Sequence, residues 1–421
     1  MGRFLSLTLL LLMAVPICSA SHNSYRVDLA LKPESRQLRS TAIVTFAAPV
    51  AGTSVRFLLN KSLKVTKVAC TNCDGFRFAT DEPSSFRYMP DGAPLYIALN
   101  KAVKAGDEMQ VTISYEGSLN ELAWGVNMLT PEYVELAQYI GWYPFMPEMG
   151  KFHYAIDVTA DPAYTVTGEG IATGQSRGRW RIVEDADTFD MVVVAGRALK
   201  TRALRGSNLQ VTYSPAIPDA AAGQILEQMD QTVKTYSLWF GAPSGGHLTL
   251  LLNERTNGGS YVRPGFVSMP YVAGSSAEVR RRIVATLGHE VGHLWWTGAS
   301  VTTWEDWLNE SFAEYSSWLM LKQVYGNEEF EKQIARSRER TKGKPAVWGI
   351  DRNADEAYFV LYDKGALLLD RLASRMGEKQ FLVFASQIAH LTPRTTAEFL
   401  TKLEKTTTPE IRRDFEASLK E

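Results

Sequence analysis

Two histidines and a glutamate in one short stretch constrain this chain more than any other feature. The stretch reads His289-Glu290-Val291-Gly292-His293. Residues four apart on an α-helix lie one turn apart on the same face, so His289 and His293 can bind one ion. Glu290 lies beside them and can reach a water bound to that ion. Two imidazoles and one further carboxylate are the ligands of a catalytic zinc that keeps one position open for water.

The residues before this stretch predict a helix that carries both histidines. Ser275 and Glu278 have the spacing of a capping box, with Ser275 as the N-cap. Neither Gly nor Pro interrupts the chain from Ser275 to Leu287. Apolar residues recur at helical spacing: Ile283, Val284, Leu287, Val291, Leu294 and Trp295. The alternative is an accidental motif, in which both histidines are ordinary exposed or core residues.

A second segment, Trp307 to Tyr315, supplies the missing carboxylate. It is predicted to begin another helix that runs towards Gly326. Glu310 and Glu314 are one helical turn apart and therefore share a face. Glu310 fits as the third ligand, and Glu314 fits as the carboxylate that fixes an imidazole tautomer from behind. The alternative is a pair of solvent-exposed carboxylates.

These two motifs together resemble those of the gluzincin zinc aminopeptidases, the family of membrane alanyl aminopeptidase and leukotriene hydrolase. The resemblance implies one zinc ion per chain, bound by His289, His293 and Glu310. It also implies that Glu290 is the general base of a peptidase, and that the substrate is a peptide.

The same resemblance assigns two supporting residues. It implies that Glu314 bonds the far nitrogen of His289 and that Asn309 helps to hold His293. The sixteen residues between His293 and Glu310 make a shorter connection than is usual in the family. We expect both helices to stay in place and the loop between them to differ.

A third match lies in residues 362–365, Tyr-Asp-Lys-Gly. In the family, a tyrosine before x-K-G stabilises the oxyanion of the tetrahedral intermediate, which implies that role for Tyr362. A neutral phenol directed at developing negative charge suits this chemistry. Without the resemblance, a tyrosine among leucines would be assigned to the core.

The family's G-x-M-E-N segment, whose glutamate binds the free amine of the substrate, has no recognisable equivalent. No acidic residue occurs between Glu254 and Glu278, whereas Arg255 and Arg263 do. The strand expected there can still approach a peptide through its backbone. The candidate substrate-binding residues in it are Gly258, Gly259, Ser260 and Tyr261.

Two outcomes follow for the substrate's N-terminus. An acid of the N-terminal domain, such as Glu135 or Glu148, can replace the amine clamp, or the site accepts peptides without a free N-terminus. We expect a zinc metallopeptidase that is an aminopeptidase by family. The alternatives are an endopeptidase or another amide or ester hydrolase on the same site, and a non-catalytic zinc-containing binding module.

Composition agrees with a globular enzyme. The 421 residues are 45% hydrophobic, which suffices for two domains with separate cores. With 45 basic and 46 acidic residues the net charge is −1, so no nucleic-acid partner is indicated. The sequence indicates no particular oligomeric state.

The first twenty residues have the pattern of a signal peptide. Arg3 precedes a largely apolar run from Phe4 to Ile17, and Cys18-Ser19-Ala20 fits a cleavage site. The fourteen residues of the run are too few to span a bilayer comfortably. We therefore expect export, periplasmic or secreted, with cleavage near Ala20 and no stable membrane insertion afterwards. An uncleaved membrane anchor is the alternative.

Two cysteines remain after such cleavage, Cys70 and Cys73. In an exported protein the natural interpretation is a local disulfide across a turn. Free thiols are the alternative. A zinc knuckle would require a second cysteine pair, and a redox motif would require a helix after it.

The chain is predicted to be α+β, with a signal peptide over 1–20 and two domains over 21–205 and 206–421. Short β-prone runs separated by turn residues fill the first domain, which resembles the family's N-terminal β-sandwich. The second domain mixes strands and helices and resembles the family's thermolysin-like catalytic domain. The large C-terminal helical domain of many members is not expected, so the active site should be more open.

Overall fold

The computed structural model describes residues 23–119, 128–243, 247–255 and 259–421. The predicted signal peptide lies outside these residues. In the described ranges a β-rich N-terminal domain is followed by a mixed domain of one sheet and many helices, which confirms the predicted α+β fold. No helix in these ranges is long and apolar enough to cross a membrane.

The N-terminal domain is built from mainly antiparallel sheets, in whose strands buried and exposed side chains alternate. Its strands are β1 (Ser24–Lys32), β2 (Gln37–Ala47), β3 (Gly52–Asn60), β4 (Leu63–Ala69), β5 (Cys73–Phe78), β6 (Gly92–Val103), β7 (Glu108–Ser118), β8 (Met128–Leu129), β9 (Tyr133–Leu136), β10 (Phe152–Thr159), β11 (Tyr164–Gly168), β12 (Ile171–Ser176), β13 (Arg179–Thr188) and β14 (Val193–Arg197). In β2 every second residue from Leu38 to Phe46 is buried, because alternate side chains of a strand point to opposite faces.

Three sheets arise from these strands. The largest has the order β12-β13-β10-β1-β2-β7-β4, and the others have the orders β11-β14-β9-β8 and β3-β6-β5. Within the largest, β1 and β10 are parallel and the remaining neighbours are antiparallel. The buried faces enclose one apolar core that includes Trp142 and Tyr143. Cys70 and Cys73 form the predicted disulfide, at the turn between β4 and β5.

The second domain begins with a five-stranded sheet of order β15-β16-β17-β19-β18. Its strands are β15 (Lys200–Ala203), β16 (Leu209–Tyr213), β17 (Leu248–Asn253), β18 (Tyr261–Arg263) and β19 (Phe266–Pro270). The three central strands are parallel and the two edge strands are antiparallel to their neighbours. Strand β15 lies before residue 205 in the chain, yet it pairs within this sheet. The domain boundary near residue 205 stays a prediction.

Helices complete this domain. They are α1 (Asp219–Phe240), α2 (Ala277–Gly292), α3 (Trp307–Tyr325), α4 (Asn327–Thr341), α5 (Ala357–Phe359), α6 (Gly365–Met376), α7 (Glu378–Leu391), α8 (Thr396–Thr406) and α9 (Pro409–Leu419). A π-helical turn, Val360–Lys364, joins α5 to α6. The helices share one extended apolar core with the sheet.

A small apolar cluster joins the two domains. In it, Tyr133, Val192 and Val194 of the N-terminal domain pack against Tyr261 and Phe266 of the five-stranded sheet. The edge strand β18 is therefore held from both sides: by β19 within its own sheet and by the neighbouring domain.

Candidate active site

Helix α2 carries the two histidines, and its start differs from the prediction by one residue. Ser276, not Ser275, is the N-cap, and its side chain accepts a hydrogen bond from the Val279 N–H at 3.2 Å. Ser276 has the extended backbone of an N-cap, which brings its hydroxyl over the first turn. The helix then runs without a break to Gly292, so His289 and His293 lie one turn apart as predicted.

Two glycines of α2 allow close packing on α3. A Cβ on Gly288 would lie 3.0 Å from the Cα of Ser317, and one on Gly292 would lie 3.2 Å from the Cα of Ala313. Larger residues would therefore push the helices apart. The short distance between α2 and α3 is what brings the histidines to Glu310.

The three predicted ligands lie together in the structure. The ligand atoms of His289, His293 and Glu310 are all within 4.8 Å of one another. The Nε2 atoms of the two histidines are 3.3 and 3.4 Å from the same oxygen, Oε2 of Glu310. That oxygen is buried and accepts no hydrogen bond from the described residues. A buried acceptor in this position fits a bound cation.

The other nitrogen of each imidazole is already bonded. His289 Nδ1 lies 3.0 Å from Oε2 of Glu314, and His293 Nδ1 lies 3.0 Å from the carbonyl oxygen of Trp296. A carbonyl or carboxylate oxygen can only accept here, so Nδ1 donates and Nε2 keeps its lone pair. Two Nε2 lone pairs and one carboxylate oxygen, directed at one point, are a donor set that suits zinc.

Glu314 occupies the place that the resemblance implies. Its second oxygen accepts from the indole N–H of Trp318 at 2.8 Å, which fixes the carboxylate. The pKa of Glu314 is lowered, because the bonds and charge of His289 outweigh the opposing effect of burial. Glu314 is therefore ionised and can hold the His289 ring in one orientation.

Asn309 does not hold His293, so that prediction is wrong. Its amide accepts from the Ala299 N–H at 3.1 Å and donates to the Ala299 carbonyl at 3.0 Å. It also donates to Asp306 at 2.9 Å. The side chain points from α3 towards the connection that follows α2, and it fixes this short loop. The carbonyl of Trp296 takes the place expected for Asn309.

Glu290 and Tyr362 lie at the same centre. Glu290 is buried at 8% exposure, and burial raises its pKa. The ring of Tyr362 stacks on that of His289, with centroids 5.4 Å apart and planes at 7°. Burial also raises the pKa of Tyr362, with the neighbouring Glu310 carboxylate acting in the same direction. Tyr362 is therefore a neutral phenol at physiological pH and can donate a hydrogen bond.

A contact that no sequence motif indicates positions Tyr362. The Ser311 hydroxyl donates to the carbonyl of Leu361 at 2.6 Å. A Cβ on Gly365 would collide with the Ser311 hydroxyl, so only glycine fits there. Ser311 follows Glu310 in the chain, and Leu361 precedes Tyr362. Their hydrogen bond therefore connects helix α3, which carries Glu310, to the turn that carries Tyr362.

A buried ion pair near Glu310 was also missed. Arg352 Nε lies 2.8 Å from Oδ2 of Asp306, whose side chain is fully buried. Burial raises the pKa of Asp306 to about 6, while the charge of Arg352 lowers it. One signal was available: Asp306 lies four residues before Glu310, at the spacing of a shared helical face.

The candidate substrate-binding residues are only partly placed near the site. Gly258 lies outside the described residues. Gly259 accepts a bond from Arg255 Nη1 with its carbonyl at 3.1 Å, and Ser260 is half-buried. Tyr261 is turned away and buried, with its hydroxyl 2.8 Å from Glu135, so its side chain does not line a cleft. The side chain of Tyr261 is thus excluded, and the backbone of this edge strand remains available to contact a peptide.

Neither suggested acid offers a free carboxylate. Glu148 forms a surface ion pair with Arg56 at 2.5 Å. Glu135 is fully buried, lies 3.3 Å from Arg255 Nε, and accepts a bond from Ser268 at 2.6 Å. The carboxylate of Glu135 is thus fully engaged between the domains.

The second arginine of this strand is paired in the same way. Arg263 Nη2 and Nε lie 2.7 and 2.8 Å from Oδ2 of Asp190, and both side chains are buried. Val262, between Tyr261 and Arg263, packs on the opposite side against the catalytic core. The strand therefore directs an apolar residue to the side of α2, and its charges to the N-terminal domain.

Comparisons with known proteins agree with this site. Residues 266–413 match the family model described as Peptidase family M1 domain. This range includes all three predicted metal ligands as well as Glu290 and Tyr362. A search of curated proteins gives no match.

Solved structures share the fold over nearly the whole chain. A two-domain M1 zinc metallopeptidase mutant bound to L-arginine superposes with a TM-score of 0.73, and 95% of this chain covers 94% of that chain at 16% identity. A mutant from Deinococcus radiodurans bound to a Tyr-Ser-Ala substrate has a TM-score of 0.68, with the same coverage and identity. Native yeast LTA4 hydrolase has a TM-score of 0.71, and 94% of this chain covers 66% of that chain at 16% identity.

The fold likeness and the family match agree with the residues that the two sequence motifs place together. The resemblance to the gluzincin aminopeptidases is thereby confirmed: residues 266–413 match the M1 peptidase domain, and the chain shares the fold of the M1 zinc metallopeptidases.

Proposed function

We propose that this protein hydrolyses peptide bonds with one zinc ion held by His289, His293 and Glu310. One observation carries the proposal: both histidines direct Nε2 at an oxygen of Glu310 that has no other bond in the described part of the chain. A non-catalytic zinc module would have no need of a buried acid and a buried phenol around that point, and Glu290 and Tyr362 are both there.

Each residue then has a defined task. A zinc ion in this site would supply Lewis acidity, which lowers the pKa of the attacking water. Glu290 accepts a proton from the attacking water and later delivers it to the nitrogen of the leaving amine. The Tyr362 hydroxyl donates a hydrogen bond to the oxygen that becomes negative in the transition state. Glu314 and the Trp296 carbonyl keep both imidazoles in the tautomer that leaves Nε2 free.

We propose aminopeptidase activity as the leading form of this function. Support comes from relatives of the same fold that bind a single amino acid and a tripeptide substrate, L-arginine and Tyr-Ser-Ala. An aminopeptidase must hold the substrate's ammonium group in a partly desolvated place, and this needs a negative partner.

A second candidate is cleavage without a free N-terminus, and the wall of the site favours it. On the side of β18 that faces the catalytic core lies the apolar residue Val262. The two nearby acids already form ion pairs, Glu135 with Arg255 and Asp190 with Arg263. Within the described residues this strand offers no unpaired carboxylate for an ammonium group.

One experiment separates the two candidates. A peptide-library digest analysed by mass spectrometry reports whether products lose residues from the N-terminus or are cut internally. An aminopeptidase cleaves an amino-acid 4-nitroanilide and leaves its N-acetylated twin intact. Equal rates on both substrates would establish the second candidate, and no hydrolysis of any peptide by zinc-loaded protein would refute both.

We also propose that the protein is exported and cleaved near Ala20, since the first residues have the pattern of a signal peptide. Intact-mass measurement of the protein from a cell envelope or culture medium tests this. The mass of the uncleaved chain would contradict it.

A further inference from the structure

Arg352 lies beside the reaction centre in a loop between α4 and α5. Its Nε donates to Asp306 at 2.8 Å, and Asp306 lies one helical turn before Glu310. The side chain of Arg352 is 13% exposed and that of Asp306 is fully buried. The aspartate therefore anchors the Nε edge of the guanidinium group, while the side chain of Arg352 stays partly exposed.

Most donors of this guanidinium group remain available. Arginine has five N–H donors, and within the described residues only Nε of Arg352 is bonded. Tyr88 of the N-terminal domain lies over the same group, with the guanidinium carbon 5.9 Å from the ring centroid. This contact with the ring face is not a hydrogen bond, so it leaves the N–H donors of both Nη groups available. The two Nη groups form a fork of the kind that binds carboxylates.

The positive charge of Arg352 affects the pKa of Tyr362, the tyrosine that we propose binds the oxyanion. Burial is the main cause of the raised pKa of Tyr362, and the positive charge of Arg352 acts against it. Burial lowers the pKa of Arg352, but the charges of Asp306, Tyr362 and Glu310 outweigh burial, so that this pKa is raised overall. Arg352 thus lies within electrostatic range of Tyr362 and Glu310.

The loop that carries Arg352 is fixed from the neighbouring domain. Arg87 donates to the carbonyl of Asn353, and a second contact from the same Nη1 reaches the carbonyl of Ala354 at 3.5 Å. The side chain of Asp351 accepts from the Asn353 N–H at 2.9 Å. The guanidinium group is therefore held in place before any substrate arrives, as a specific binding site requires.

We propose that Arg352 binds a carboxylate of the peptide substrate. The proposal deepens the peptidase function and rests on it. The carboxylate can belong to an acidic side chain beside the scissile bond or to the free C-terminus of a short peptide, because the guanidinium fork pairs with either. Asp306 has a positioning role: it holds Nε and so directs both Nη groups outwards. A buried ion pair such as Asp306–Arg352 contributes little to stability by itself. Binding of a carboxylate by Arg352, the more exposed member of the pair, would explain why the pair lies at this site.

The test compares matched substrates that differ only in one carboxylate. Glu- and Gln-4-nitroanilide probe the residue before the cut. Ala-Glu-Ala-amide and Ala-Gln-Ala-amide probe the residue after it. Ala-Ala-Ala and its amide probe the free C-terminus. All are also offered in acetylated form, so that the result does not depend on whether a free amine is required.

For wild type we expect one of these pairs to show a preference of about tenfold or more in kcat/KM for the carboxylate, the size of one good charged hydrogen bond. In Arg352→Gln this ratio should fall to about one. The double variant Asp306→Asn/Arg352→Gln removes both charges, avoids an unpaired buried aspartate, and should show the same ratio. Arg340→Gln is the matched control, because Arg340 also forms an ion pair with an aspartate, Asp363. This variant should keep the wild-type ratio.

Two results would overturn the proposal. One is a wild-type ratio near one for all three pairs. The other is a preference that survives in both Arg352 variants. Either result leaves the peptidase function standing, because it is read from hydrolysis itself. Failure of wild type to cleave any of the substrates would instead refute the peptidase function.

Discussion

The Ser311 hydroxyl donates to the carbonyl oxygen of Leu361 at 2.6 Å, and this bond accounts for the π-helical turn that presents Tyr362. In an α-helix the Gly365 N–H would bond the carbonyl of Leu361, whereas here it is shared between the carbonyls of Val360 and Tyr362. The carbonyl that the helix leaves free is taken by Ser311. Inserted π turns occur often at functional sites, and here the turn connects the residue after Glu310 with the residue before Tyr362.

Ser311→Ala should lower kcat and leave KM nearly unchanged. The buried Leu361 carbonyl would lose its partner, at a cost of about 1–3 kcal/mol, and the turn would relax and displace Tyr362. Steady-state kinetics on a chromogenic amide measures this. Ser317→Ala is the control, because the Ser317 hydroxyl bonds a carbonyl of its own helix. A variant with wild-type kcat would show that Ser311 does not position Tyr362.

Glu290→Gln should keep the fold and the bound zinc but lose nearly all turnover. Glutamine has almost the same shape and cannot accept the proton of the attacking water. Since Glu290 is not among the three grouped ligands, zinc content should stay at the wild-type level. Metal analysis and kinetics on the same sample give both values. Substantial kcat in this variant would require another base.

Tyr362→Phe should reduce kcat by about 100-fold or more, in line with the loss of one oxyanion donor. KM should change far less, because the bond forms mainly in the transition state. The ring keeps its stacking on His289, so the fold should be retained. An unchanged kcat, with normal zinc content, would assign Tyr362 to packing alone.

A buried acid in the N-terminal domain predicts a pH dependence of stability. Glu169 is fully buried, one of its oxygens has no partner among the described residues, and burial raises its pKa well above 4.5. The native state therefore holds this proton more tightly than the unfolded chain does. The contribution of Glu169 to the free energy of unfolding is therefore largest below about pH 4.5. It falls as the pH rises towards the folded pKa, by about 1.4 kcal/mol for each unit between the two pKa values.

Glu169→Gln removes that proton equilibrium and should be more stable than wild type at pH 8 but not at pH 4. Urea unfolding at several pH values measures the difference. Glu148→Gln is the control, because Glu148 lies at the surface. A constant difference between Glu169→Gln and wild type across this range would contradict the predicted ionisation.

The sequence predicted those parts of the site that depend on helical spacing. His289 and His293, and likewise Glu310 and Glu314, are pairs four residues apart, and the structure places each pair on one face. Spacing within a helix is a local property, and it can be read without knowledge of the rest of the fold. The position of the N-cap, by contrast, depended on the backbone angles of two adjacent serines, and the prediction was one residue early.

The missed contacts join segments that are far apart in the chain. The carbonyl of Trp296 replaces Asn309 as the partner of His293, and any residue at that position would provide the same carbonyl. Ser311 meets Leu361 fifty residues later, and Asp306 meets Arg352 forty-six residues later. Such pairs depend on how the helices pack, and no pattern in the sequence brings their members together.

Zinc titration of chelator-treated protein tests the central claim most directly. The hydrolysis rate of a peptide substrate is followed as zinc is added to metal-free protein. We predict no activity without zinc and a linear rise that reaches its plateau at one equivalent per chain. Activity that persists in metal-free protein, or that zinc does not restore although the protein stays folded, would contradict a zinc site built from His289, His293 and Glu310.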